Sequence, residues 1–267
     1  MKPTATERPF SLMPRSEKSR RKGLTSIIDF GPDGFGWTGP RGVSDLLDCA
    51  AAYIDYAKIY AMNALLIPKD TVAAIVGLYR DAGVTPYAGG ILFEHAERTN
   101  AVEGYIAHLK SLGIQSLEVS ENYLSLTDDR RRRLIGEFRG HGFRVIYEFG
   151  RKNPEEAMDL DHLDEIVTGS FDEGAEHVIL EQSEIDVVAR DAPDRLDVLK
   201  TRPWFDKVFI EADPYRFPRQ HVELIRQFGP DVNLANVAAG QALRLEGLRR
   251  GVGRAVDYSM FQTALME

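Results

Sequence analysis

Short apolar runs alternate along the chain with longer amphipathic stretches, and the alternation repeats eight times. The runs lie at 24–29, 53–58, 85–88, 116–120, 144–148, 177–181, 207–211 and 232–236. Their near-continuous apolar character, without a regular polar face, is that of strands covered on both sides. Between them, apolar residues recur at spacings of three and four, the period of a helix with one buried face. Val43–Tyr53 keeps Leu46, Leu47 and Ala50 on one side, and Thr71–Ala82 does the same with Val72, Ile75 and Leu78. Asp128–His141 carries Leu134, Ile135 and Phe138, with Thr127-Asp128 as its N-terminal cap signal. Gly83, Gly113, Gly142 and Gly174 fall where helices end before the next strand.

Eight strand–helix alternations predict the α/β class and a single (β/α)8 TIM barrel over residues 23–267. The rival, an open doubly wound sheet, wants a Gly-rich first turn leading into a helix. The turn Gly31-Pro32-Asp33-Gly34-Phe35-Gly36 holds glycines but runs on into Trp37, Gly39 and Pro40, which does not fit that fingerprint.

Composition narrows the function classes. The formal net charge is −8, from 33 basic and 41 acidic residues, which argues against nucleic acid as a partner. No apolar stretch is long enough to cross a membrane. The single cysteine, Cys49, excludes an internal disulfide and a multi-cysteine zinc site, and its place in a helical segment suggests packing. The six histidines follow no metal-binding spacing. Residues 1–22 form a basic arm, with Lys2, Arg8, Arg15, Lys18, Arg20, Arg21 and Lys22. It lies on the acidic body or binds a phosphate or partner. No apolar core of a secretory signal follows its charges, so a cytoplasmic location is expected.

In a barrel of this kind the chemistry gathers at the C-terminal ends of the strands. Those ends read Asp29, Lys58, Glu94 just past Gly89-Gly90, Glu118, Glu148, Glu181, Glu211, Asn233 and Asn236. Burying so many carboxylates without partners is costly. A ring of acids with a few lysines is suited to a hard cation such as Mg²⁺ and an anionic substrate. In Glu148-Phe149-Gly150-Arg151-Lys152, a strand ends in a carboxylate, turns through glycine and offers two cations. Lys152 there can donate a proton or hold a substrate carboxylate. Arg249-Arg250-Gly251 adds cations that fit either a phosphate or a helix end.

Collinear motifs between residues 22 and 253 resemble the phosphosulfolactate synthase family of coenzyme M biosynthesis. They include Lys22-Gly23-Leu24-Thr25, Tyr87-Ala88-Gly89-Gly90 with Leu92-Phe93-Glu94, Leu117-Glu118-Val119-Ser120, Glu148-Phe149-Gly150-Arg151-Lys152, Val232-Asn233-Leu234-Ala235-Asn236 and Leu248-Arg249-Arg250-Gly251. The resemblance implies a Mg²⁺-dependent, often oligomeric barrel that adds sulfite to phosphoenolpyruvate, forming a carbon–sulfur bond. It implies that Lys152 is the general acid, with Glu148 and Lys58 beside it in catalysis. Glu118, Glu148, Glu181 and Glu211 become the metal-ligand candidates. Asp29, Glu94, Ser120, Asn233, Asn236, Arg249 and Arg250 become the substrate-binding candidates.

The chain departs from the family pattern in four loops. Phe30 stands where the family has a lysine, and Tyr60-Ala61-Met62 replaces glycines after the second strand. Ser120-Glu121-Asn122 replaces a Ser-Asp-Gly, with Asn122 a partial stand-in for glycine, and an arginine is lost after Glu181. Aromatic residues from Gly31 to Pro40, notably Phe35 and Trp37, suggest a wall suited to a larger second substrate. Two alternatives therefore stand beside the family reaction. One is a relative that adds another nucleophile to phosphoenolpyruvate or uses a related phosphorylated acid. The other is a non-catalytic barrel like a plant heat-stress-associated family of the same ancestry, in which the acidic ring would be expected to be disrupted.

Overall fold

A computed structural model of the chain describes residues 14–31 and 39–256. Eight parallel strands close into a barrel in sequence order. They are β1 (Thr25–Asp29), β2 (Tyr56–Ile59), β3 (Thr85–Ala88), β4 (Ser116–Ser120), β5 (Arg144–Phe149), β6 (His177–Leu180), β7 (Val208–Glu211) and β8 (Asn233–Ala238). Helices run between successive strands and wrap the outside, so the TIM-barrel expectation is met. The helix boundaries move by a few residues from those read in the sequence: the observed helices are Pro40–Ala50, Lys69–Asp81 and Asp128–Gly140. Thr127 caps the last of these by accepting from the Arg130 amide at 3.3 Å. The expected aromatic wall falls mainly on residues 32–38, which lie outside the described residues.

Strand alternation sorts the core into two shells. Leu24, Tyr56, Tyr87, Ile146, Ile179, Phe209 and Ala235 fill the barrel interior. Alternate residues such as Ile27, Val119, Val145, Val178 and Ile210 face the helix layer. Because side chains repeat every second residue, the position two beyond each inner apolar residue faces the lumen one layer higher. Tyr56 is followed in this way by Lys58, Ile146 by Glu148, Ile179 by Glu181 and Phe209 by Glu211. The charged ring is therefore the top layer of the same stack that makes the core.

The opposite end of the barrel is closed by arginines. Arg15 pairs with Asp231 at 2.8 Å, donates to the Pro230 and Gly23 carbonyls, and is 3% exposed. Arg20 pairs with Asp55 at 3.2 Å. Residues 14–22 of the basic arm are thus tied to the barrel base. Cys49 is exposed, so its expected packing role is not what the fold provides.

Candidate active site

The top layer divides into two lysine-centred groups. The Lys58 ammonium, on β2, lies 2.8 Å from Glu118 and 3.4 Å from Glu148. Lys152, in the loop after β5, lies 2.5 Å from Glu181 and 3.3 Å from Glu211. Lys58 is buried in the lumen, whereas the Lys152 side chain is 35% exposed at the mouth. Gly150 lets the backbone turn towards this mouth at φ +118°, where an added Cβ would fall 2.5 Å from Glu184 and 2.7 Å from Glu181. Glu184 accepts from the Arg151 amide at 3.1 Å and anchors the same turn.

Glu148, Glu181 and Glu211 each offer a carboxylate oxygen within 4.8 Å of the others, and all three residues are buried. Their electrostatics are those of crowded acids. Burial opposes ionisation of Glu148, but Lys58 and Lys152, with the amide of Asn122, outweigh it and hold the carboxyl at about 2. Burial, reinforced by the charges of Glu148 and Glu181, pushes Glu211 well above the usual carboxylate range. Glu181 is raised by burial and by Glu148 despite its contact with Lys152. Burial and then Glu148 push Glu118 up to about 7 against the pull of Lys58. Burial works against the charge of both lysines, yet the surrounding carboxylates hold both above their ordinary value.

This cluster fits a divalent cation. Its donors are all carboxylate oxygens, the set preferred by a hard ion such as Mg²⁺. Glu211 Oε2 is buried and has no hydrogen-bond partner. A cation among Glu148, Glu181 and Glu211 would relieve the repulsion that raises Glu181 and Glu211. Glu118 stands outside this triad: Lys58 takes one of its oxygens, and the Gly90 amide donates to the other at 2.8 Å.

The remaining sequence candidates disperse. Asp29 turns out of the lumen, because the alternation that points Ile28 and Lys58 inward points their neighbours outward. It accepts from Tyr79 Oη at 2.8 Å and from the Gly31 amide at 2.9 Å, which makes it a brace between β1 and the helix layer. Asn233 begins β8 rather than ending it. At the barrel base it accepts from the Leu24 amide at 2.9 Å and donates to the Asp206 and Val208 carbonyls. Arg249, 2% exposed, donates to the carbonyls of Pro230, Val232 and Leu24 at the same end. Arg250 pairs with Glu246 at 2.7 Å along its own helix. These three leave the candidate site, since a strand's two ends open on opposite faces of the barrel. Asn236 stays at the upper end of β8, in the left-handed region at φ +56°, with its Oδ1 buried and unpartnered.

Glu94 and Ser120 are near the mouth but are spent on each other. Ser120 Oγ donates to Glu94, which also accepts from the amides of Asn122 and Tyr123 at 2.9 and 2.8 Å. Asn122 is the residue that sequence reading undervalued. It is absent from the left-handed non-glycine positions, so it does not act there as a glycine substitute. Its Nδ2 instead donates to Glu148 at 2.6 Å. An amide side chain two residues past the end of β4 was the available signal. At the rim, Phe30 and Tyr60, each one residue beyond its strand, pack in a tilted contact with ring centroids 4.9 Å apart.

Residues 13–254 match the model of the (2R)-phospho-3-sulfolactate synthase family. The chain belongs to this family. It is 33% identical to the phosphosulfolactate synthase of Methanothermobacter thermautotrophicus over 252 residues, covering 91% of this chain and 94% of that protein. It is 22% identical over 262 residues to the heat-stress-associated 32 protein of Arabidopsis thaliana, covering 88% of each. A dihydrodipicolinate synthase from Agrobacterium tumefaciens shares the barrel fold, with a TM-score of 0.55 at 16% identity over 87% of this chain and 76% of that one. Among the described residues, no helix is long and apolar enough to cross a membrane.

Proposed function

We propose that this phosphosulfolactate synthase family member adds sulfite to phosphoenolpyruvate in the mouth of the barrel, with Mg²⁺ held by Glu148, Glu181 and Glu211. The observation that carries the reading is the joining of the three-carboxylate cluster to Lys152, whose ammonium touches two of the three. Bound there, the cation would act as a Lewis acid towards negative charge developing on the substrate carboxylate. Sulfite attacks the methylene carbon, the C–S bond forms as the carbon–carbon double bond opens, and the electron pair moves towards that carboxylate. Lys152 then gives a proton to the carbon bearing the phosphate ester. Its partial exposure lets solvent return the proton. Lys58 stays between Glu118 and Glu148 and keeps Glu148 ionised. Asn236, with its buried and unpartnered amide oxygen, is a candidate for a polar substrate contact. Retention of the acidic ring and both lysines favours an enzyme over a stability protein of the heat-stress type.

A second reading rests on the Phe30–Tyr60 contact. An aromatic pair at the rim, where the family carries a cation, favours a bulkier or more apolar nucleophile than sulfite. Phosphorus NMR of the protein with phosphoenolpyruvate, sulfite and Mg²⁺ separates the two. A new phosphate-ester resonance that requires all three components supports sulfite. Absence of that resonance with folded protein refutes sulfite as the nucleophile.

A further inference from the structure

The helix Gly90–Arg98 reaches the active site in two ways. Its first amide, from Gly90, holds Glu118 directly. Its Glu94, 3% exposed, holds the loop after β4. One carboxylate there collects a side-chain hydroxyl and two consecutive backbone amides, from Ser120, Asn122 and Tyr123. A substrate contact would require breaking that set. The loop so fixed delivers one side chain to the triad: Asn122, whose Nδ2 donates to Glu148 Oε1 at 2.6 Å. The other oxygen of Glu148 faces Lys58 at 3.4 Å, so the Asn122 bond decides how the carboxylate is turned. The other end of the Asn122 amide, Oδ1, is buried without a partner. The side chain is therefore oriented from one side only, by Glu148, and its backbone must be held by something else.

We propose that Glu94 is a positioning residue, which fixes the backbone at Asn122 so that the Asn122 amide sets the Glu148 carboxylate for a cation in the triad. The proposal rests on the reading of Glu148, Glu181 and Glu211 as a metal site. Glu94→Gln has one acceptor oxygen in place of two and cannot hold both amides. Outer partners of metal ligands are commonly worth about 10- to 100-fold in affinity. Groups acting in one chain lose that affinity once, not twice.

The test is a double-mutant cycle on E94Q and N122A, read as Mn²⁺ affinity by electron paramagnetic resonance, with circular dichroism as the check on folding. Each single variant is expected to weaken Mn²⁺ binding by roughly 10-fold or more, and the double variant no further than the weaker single. Losses that multiply, or unchanged affinity in E94Q, overturn the proposal while the metal site stands. A wild-type protein that binds no Mn²⁺ overturns the metal site and the proposal with it. If E94Q does not fold, Glu94→Asp, which keeps the charge but shortens the reach, takes its place in the cycle. Unfolding of both variants would make Glu94 a residue of the fold alone and overturn the proposal.

Discussion

Replacing Lys58 by methionine isolates the electrostatics of the barrel top. The ammonium sits between Glu118 and Glu148, and all three side chains are nearly sealed from water, at 6%, 2% and 2% exposure. Methionine fills a similar volume, so little packing is lost. What remains is two buried carboxylates without their shared cation, a defect that typically costs ~3–5 kcal/mol. For a domain of this size that corresponds to a fall in Tm of roughly 6–20 °C. The loss depends on pH in a defined direction. Burial and Glu148 hold the Glu118 carboxyl up at about 7 in the wild type, so at pH 5 it keeps a proton and the missing lysine matters less. At pH 8 the wild-type carboxylate is largely charged and paired with Lys58, so removing the lysine costs more there. Calorimetry of wild type and K58M at both pH values is the assay, repeated in an E118Q background where one of the two charges is gone. A fall of less than ~3 °C at pH 8, or the same fall in the E118Q background, refutes the reasoning.

Three further outcomes are expected. Lys152→Ala should abolish formation of a phosphate ester in the NMR assay while the protein stays folded by circular dichroism, because the Lys152 side chain is 35% exposed and Glu211, held well above the usual carboxylate range, can keep a proton in place of its partner; unchanged turnover would refute the general-acid role. The metal-free barrel should lose stability as pH rises from about 5 to above 7. Glu118 is raised from 4.5 to about 7, so the native state holds a proton in this window that the unfolded chain has released. That difference amounts to up to ~3 kcal/mol, and Mg²⁺ should raise Tm more at pH 8 than at pH 5; a flat profile in thermal-shift measurements would count against it. Gly90→Ala should destabilise by about 1–3 kcal/mol in urea unfolding, since its Cβ would fall 2.1 Å from Ser120 Oγ and 2.8 Å from Glu118.

The site was partly legible because a barrel strand carries its own address. Glu148 and Glu211 close their apolar runs, Glu181 follows directly on β6 and Glu118 lies two residues inside the end of β4, and in a parallel barrel all those ends open on one face. The same rule misplaced Asn233, which looked like part of an ending run but begins β8 once its hydrogen bonds to Leu24, Asp206 and Val208 are seen. A shift of a few residues in a strand's boundaries moves a side chain from one mouth of the barrel to the other. Asp29 failed for a finer reason. It does end β1, but it is one residue out of phase with the inward-facing Ile28, and phase is set by pairing with β2.

The sequence by itself determined the eightfold alternation, the barrel and the presence of an acidic, lysine-bearing ring, because each follows from local periodicity and from residues at the ends of runs. It also carried the family motifs. Only the tertiary structure decided how the ring divides. Distances between strands put Lys58 with Glu118 and Glu148, Lys152 with Glu181 and Glu211, and left Glu148, Glu181 and Glu211 as the close triad. It likewise turned Arg15 and Arg249 from free cations into buried ties of the barrel base. Charge is written in the sequence, but whether it meets a carbonyl, a carboxylate or a ligand depends on which distant segments close around it.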